Sequence, residues 1–228
     1  MRTVLIGAVD FNKEHFFGQH FDCVIAVDAG WKTCVDCGVH ADVALGDFDS
    51  LGYVPSDVPV VRFPSVKDES DMELALAHAA SLGTTEAVIY GAFSGRIDHT
   101  LANFQIMERF SRNGMKTVGI GSDFAAVVLA HGANVDQHAP SSLAFCSFDP
   151  HVLGGSYAPY FSLFALSGPA KGVSIHGLAY ELSDHTLLAD YSLGLSNQFC
   201  GKEAEVEVGE GVVLALFPLD ALSFMRIA

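Results

Sequence analysis

Positive charge is scarce in this sequence: twelve lysines and arginines face twenty-seven aspartates and glutamates, a net charge of −15 at neutral pH. Non-specific binding to nucleic acid rests on Lys and Arg neutralising phosphates, so this composition argues against it. Long apolar runs are missing too. Half of the residues are hydrophobic and mean hydropathy is +0.33, yet no run approaches the roughly 18 residues of a membrane helix. The N-terminal MRTVLIGAVDFNKE lacks a small-residue cleavage site and reads as a first strand rather than a secretion signal. The expectation is a soluble, cytoplasmic protein that meets no membrane. Five cysteines, an odd number, follow no disulfide-scaffold spacing, which fits a reducing compartment. Cys34 and Cys37 form a CxxC without a second pair or a His pair at zinc spacing. Within WKTCVDCG they read as helix packing, with redox or metal chemistry the rarer alternative.

What is present alternates in period. A chain of 228 residues holds one large domain or two small ones and buries about 70% of its unfolded surface. TVLIGAV, DCVIAVDAG, ADVALGD, VPVVRF, EAVIYGAF and KTVGIG read as strands rich in Val and Ile, mostly without period-2 alternation, as strands buried on both faces are. Between them DMELALAHAASLG and TLANFQIMERFSRNG read as helices closed by Gly or Asn-Gly. The alternation predicts a mostly parallel, three-layer, Rossmann-like α/β domain over about residues 1–121. After residue 122 short strands punctuated by Gly, Ser, Pro and Asp predict an all-β sandwich or small barrel. The boundary is placed near HGANVDQHAP, dividing the chain into 1–130 and 131–228.

Ligands of open parallel sheets sit outside the carboxyl ends of the strands, and the polar clusters fall there. Asp28 closes VIAVDAG; Asp47 and Asp49 follow VALG. Residues i and i+2 of extended backbone face the same way, so the last two can converge on one hard cation such as Mg²⁺; the alternative is a turn capped by Asp49 or Ser50. KDESDMELAL offers Lys67 as a point charge for phosphate or as a solvated lysine, Ser70 and Glu73 as a capping box, and Asp71 for the helix dipole or a metal. In GAFSGRIDHTLANFQ, Gly91 and Gly95 permit tight turns, and Arg96 at a helix mouth suits a phosphate. Asp98 and His99 cap the helix or take part in chemistry, and Asn103 faces the same cleft or solvent. Tyr180, Ser196, Asn197 and Phe199 suit a flat heteroaromatic ligand, or else serve core and turn.

Taken in order, DAG at 28–30, GDFDSL at 46–51, KDESDMELAL at 67–76, GRIDHTLAN at 95–103, GLAYEL at 177–182 and LSNQF at 195–199 resemble the thiamine pyrophosphokinase family along nearly the whole chain. The resemblance implies an α/β domain, a β-sandwich domain, and a homodimer whose active sites form between the α/β domain of one subunit and the sandwich of the other. It also implies conversion of ATP and thiamine to AMP and thiamine diphosphate with Mg²⁺. Asp28, Asp47, Asp49 and Asp71 match the acidic metal-and-phosphate set, and Arg96 and Asp98 match the Gly-Arg-x-Asp element. Lys67, Ser70, Gly95 and Asn103 fall on the ATP side; Tyr180, Ser196, Asn197 and Phe199 fall on the thiamine side, with Tyr180 or Phe199 of the partner subunit stacking on the pyrimidine ring. Ala29, Ala41, Ser70 and Ser94 depart from the common Gly, Pro, Thr and Gly. Two rival readings are a phosphatase of the haloacid dehalogenase type, with Asp47 of DFDSL as nucleophile, and a non-catalytic nucleotide or thiamine sensor.

Overall fold

The computed structural model describes residues 1–227, which form two compact units. The first comprises residues 1–106 and 117–122, the second 107–116 and 123 onward. The boundary read near residue 131 lies a few residues after the point at which these units divide. The stretch before it is a strand of the second unit, and its unbroken apolar run carries no turn signal to announce the change.

The first unit is built from parallel pairs. β1 (Arg2–Ile6) lies between β2 (Cys23–Val27) and β5 (Glu86–Tyr90); β3 (Val43–Gly46) follows β2, and β4 (Val60–Arg62) follows β3. β6 (Lys116–Ile120) flanks β5, giving the order β6-β5-β1-β2-β3-β4. Val4, Leu5, Ile6, Ile25 and Ile89 are wholly buried, as continuous apolar strands of a parallel sheet must be. The helices are the short α1 (Lys13–Phe17), α2 (Gly30–Cys37), α3 (Asp71–Ser81) and α4 (Ile97–Arg112). α2 ends on Gly38 in the left-handed conformation (φ 71°), the expected helix stop. It buries Cys34, whose thiol burial pushes up to about 12, helped by the neighbouring Cys37. So high a value suits packing, not thiol chemistry. No described helix is long and apolar enough to cross a membrane.

The second unit is antiparallel throughout its two sheets. β7 (Phe124–His131), β9 (Tyr160–Ala165), β12 (Asn197–Gln198) and β14 (Gly211–Pro218) run in the order β12-β9-β14-β7. β8 (Ser142–Phe145), β10 (Ala170–His176), β11 (Leu182–Leu187), β13 (Ala204–Glu207) and β15 (Met225–Ile227) run as β11-β10-β13-β8-β15. The sheets meet through phenylalanines. Phe145 on β8 stands edge-on to Phe217 on β14 (centroids 5.1 Å) and to Phe161 on β9 (6.0 Å), and Phe161 stacks on Phe217 at 6.0 Å. Tilted and offset ring pairs add to the area they bury. The chain thus mixes parallel and antiparallel strands: the parallel expectation holds for the first unit and the β expectation for the second.

Phe161 is wholly buried in this aromatic cluster. Truncating it as Phe161→Ala removes a ring without room for the sheets to collapse, and chemical denaturation is expected to show a loss of about 3–5 kcal/mol.

Candidate functional site

The sheet order places the turning point of the chain between β1 and β5, and a cleft of about 570 Å³ opens at the carboxyl ends of the strands there. This is where open parallel sheets bind ligands, and the volume suits a nucleotide-sized molecule. Gly7 after β1 and Gly91 after β5 line it. A Cβ on Gly7 would come within 2.4 Å of the Gly91 carbonyl oxygen, so only glycine lets the two backbones meet. Gly7, Ala8 and Val9 are cleft residues that the sequence motifs do not single out; the glycine directly after the first strand was the available signal.

Three carboxylates gather beside this floor. Asp28, Asp47 and Asp49 offer ligand oxygens that all lie within 4.8 Å of one another. Asp28 follows β2 in a left-handed conformation (φ 46°), and its N–H donates to the Leu45 carbonyl at 2.7 Å, tying the end of β2 to β3. Asp47 is buried; one oxygen accepts from the Asp49 N–H (3.1 Å) and the other takes the Lys67 ammonium (3.0 Å). The hydrogen bond from the Asp49 backbone, opposed by burial and aided by Lys67, holds the Asp47 carboxyl below its usual value. The two aspartates converge, but not through extended backbone: Phe48 between them is left-handed (φ 63°) with its ring buried. The corner is therefore both a turn and a cluster. Ser50 serves the turn, donating to Asp49 Oδ1 at 3.1 Å.

Lys67 reaches Asp71 Oδ1 as well, at 3.0 Å, and donates to the Pro64 carbonyl at 3.2 Å. It stands as the counter-charge of the buried Asp47 and the half-buried Asp71, neither solvated nor turned to a free anion site. Asp71 opens α3. Burial drives its carboxyl above the ordinary value, against the pull of Lys67 and with the push of Asp47 and Asp28. Ser70 caps the helix as predicted, its Oγ accepting from the Glu73 N–H at 3.2 Å. Asp71 lies outside the three-carboxylate group; Lys67 links it to that group through Asp47.

At the cleft's other wall, Gly95 turns with φ 73° into Arg96, whose guanidinium grips Asp98 through two hydrogen bonds. Both side chains are exposed. Arg96, and then the His99 backbone N–H, pull the Asp98 carboxyl down to about 2. The two bonds fix the guanidinium of Arg96 against the Asp98 carboxylate. His99 and Ser94 line the cleft, and Asn103 is buried, donating to the Ala92 carbonyl at 2.7 Å.

The four candidates in the second unit separate. Tyr180 and Ser196 are exposed. Asn197 is buried and spends its amide on Tyr180, Oδ1 accepting from the Tyr180 N–H (2.9 Å) and Nδ2 donating to its carbonyl (2.6 Å). Phe199 is buried among Phe145, Phe148 and Phe161. Asn197 thus pins the loop that carries Tyr180, and Phe199 packs into the aromatic core. A smaller hollow of about 320 Å³ beside Cys146, His176 and Arg226 holds none of the candidate residues.

The donor set fits a hard divalent cation. All three groups are carboxylates, and Asp28 Oδ1 is buried with no hydrogen-bond partner; Asp71 Oδ1, also buried, has only the Lys67 ammonium, off the line of a hydrogen bond. Carboxylates gathered beside a lysine and an arginine at strand ends are the equipment of a phosphoryl-handling transferase. Residues 17–118 match the family model "Thiamin pyrophosphokinase, catalytic domain", and residues 150–213 match "Thiamin pyrophosphokinase, vitamin B1 binding domain". The chain belongs to the thiamin pyrophosphokinase family. A curated relative, thiamine pyrophosphokinase of Bacillus subtilis, is 23% identical over 202 residues, covering 86% of this chain and 87% of the relative. Crystal structures of thiamin pyrophosphokinases share the fold. That from Bacillus subtilis gives a TM-score of 0.76 at 20% identity, covering 96% of this chain and 99% of the other. That from Geobacillus thermodenitrificans gives 0.74 at 22%, covering 97% and 99%.

Carboxyl-detected NMR titration is expected to place the Asp98 midpoint at about 2, and Arg96→Gln should raise it toward the unperturbed value of roughly 3.9. Because the folded value is the lower one, the pair's stabilisation is present above the unfolded pKa and fades as pH falls through the folded one. A midpoint that stays put in the variant removes Arg96 as the cause.

Proposed function

We propose that the protein is a thiamine pyrophosphokinase, transferring the pyrophosphoryl group of ATP to the hydroxyl of thiamine with release of AMP. The observation that carries this is the coincidence of the two family matches with an acidic, lysine- and arginine-bearing cleft at the ends of β1, β2, β3 and β5. In our reading the first unit, a Rossmann-like three-layer frame, takes ATP, and the second takes thiamine. The protein acts as a cytoplasmic homodimer with sites shared between subunits; five free cysteines support the compartment.

Asp28, Asp47 and Asp49 would hold Mg²⁺, with Asp71 beside them. Bound there, Mg²⁺ supplies Lewis-acid neutralisation of phosphate oxygens. Arg96, oriented by Asp98, would face charge on the transferring group. The thiamine oxygen forms its bond to the β-phosphorus as the bridge to the α-phosphate breaks, AMP leaves with that bridging oxygen, and the hydroxyl proton passes to water. Phosphoryl transfer needs little covalent help from protein, so positioning and charge do most of the work. Tyr180, exposed on the second unit, or Phe199 would stack on the pyrimidine ring from the partner subunit. The phosphatase reading loses its ground because both halves of the chain match the other family.

Purified protein is expected to form AMP from ATP only when thiamine and Mg²⁺ are present, followed by chromatography of nucleotides. Thiamine-independent AMP, or none, overturns the function. Asp49→Asn should lower kcat by roughly a hundredfold or more, the scale seen when one charge-stabilising group is removed from a transition state. Near-normal turnover in that variant refutes the metal assignment.

A further inference from the structure

We propose that Lys67 is an internal counter-cation that holds Asp47 and Asp71 until a divalent cation binds, and then turns its ammonium to the incoming phosphates. The proposal rests on the reading of the cleft as a metal and triphosphate site. The Lys67 ammonium donates hydrogen bonds to Asp47 Oδ2 at 3.0 Å and to the Pro64 carbonyl at 3.2 Å, and pairs by charge with Asp71 Oδ1 at 3.0 Å. Its side chain is only 12% exposed, so this is a seated ion and not a surface lysine.

Asp47 is the shared element. It belongs to the three-carboxylate group, yet its Oδ2 is committed to Lys67. A cation drawing on Asp47 therefore competes with the ammonium. Arg96 is no rival for the carboxylates, because its guanidinium is engaged by Asp98. Lysine suits an exchange of partners: a compact charge on a flexible four-carbon stem can swing by rotamer changes alone, where a planar arginine fork would need a matched acceptor. Lys67 lines the cleft together with Arg96, so the swing would need no movement of the backbone.

The test is Mn²⁺ binding to nucleotide-free full-length protein, followed by titration calorimetry near neutral pH. Lys67→Met keeps the apolar stem and is expected to bind Mn²⁺ about tenfold more tightly, a conservative share of the repulsion between nearby charges in partly buried surroundings. Lys67→Arg should stay near wild type. In the presence of Mn²⁺, a non-hydrolysable ATP analogue should bind Lys67→Met more weakly than wild type. The opposite signs for metal and nucleotide are the signature; thermal melting checks that each variant is folded, and Lys67→Gln replaces a Met variant that is not. Unchanged or weaker Mn²⁺ binding in the neutral variant overturns the role of Lys67 while leaving the metal reading standing. Wild-type protein that binds no Mn²⁺, or binds it equally well as Asp28→Asn, overturns both. Thiamine-dependent AMP formation judges the overall function separately.

Discussion

Repulsion among the carboxylates at the ends of β2 and β3 is the constraint around which the site is built. Two unit charges about 4 Å apart interact by roughly 4 kcal/mol at the effective dielectric of a protein surface, and Asp28, Asp47 and Asp49 crowd to within 4.8 Å. Such a corner persists only if backbone and partners over-determine it. Asp28 and Phe48 both occupy the left-handed region, at a cost of order 1–3 kcal/mol each. The parallel register of β2 with β3, continued by the bond from Asp28 N–H to Leu45, fixes where the first carboxylate starts. Gly46, with φ 155°, leaves room for it: a Cβ there would lie 3.0 Å from the Asp28 Cα.

Charge compensation in the cleft is incomplete, and this shapes its chemistry. Lys67 satisfies Asp47 and reaches Asp71. Asp28 Oδ1 stays buried and unpartnered, the kind of orphan acceptor that folded proteins rarely leave without a functional reason. The burial that raises Asp71 and the backbone bond that lowers Asp47 pull two neighbouring carboxyls in opposite directions. Environments that push paired groups apart mark sites prepared for charge.

Much of this was legible in the sequence. The six strands of the first unit follow from Val and Ile runs, α3 from its S-x-x-E cap, and the acidic set from its place after strands. What escaped did so for physical reasons. The conformation of Phe48 is invisible because nothing about a phenylalanine announces positive φ. The pairing of β7 is not legible because a run buried on both faces looks alike in parallel and antiparallel settings. For Asn197 and Phe199 the residue types leave core, turn and ligand roles open, and only packing reveals the amide bonded to backbone and the ring among rings.

The acidity of the chain is less paradoxical for a triphosphate site than it first looks. Asp28, Glu69 and Asp71 line the cleft, where Lys67 is already paired and Arg96 is tied to Asp98. A bare triphosphate would meet net repulsion there, whereas the same anion carrying a divalent cation meets carboxylates that lack a counter-charge. On the proposed function, the site would therefore select the metal complex at the binding step. On that reading metal dependence would be a property of recognition as much as of chemistry, and the scarcity of Lys and Arg that argued against nucleic acid would also discriminate against free nucleotide.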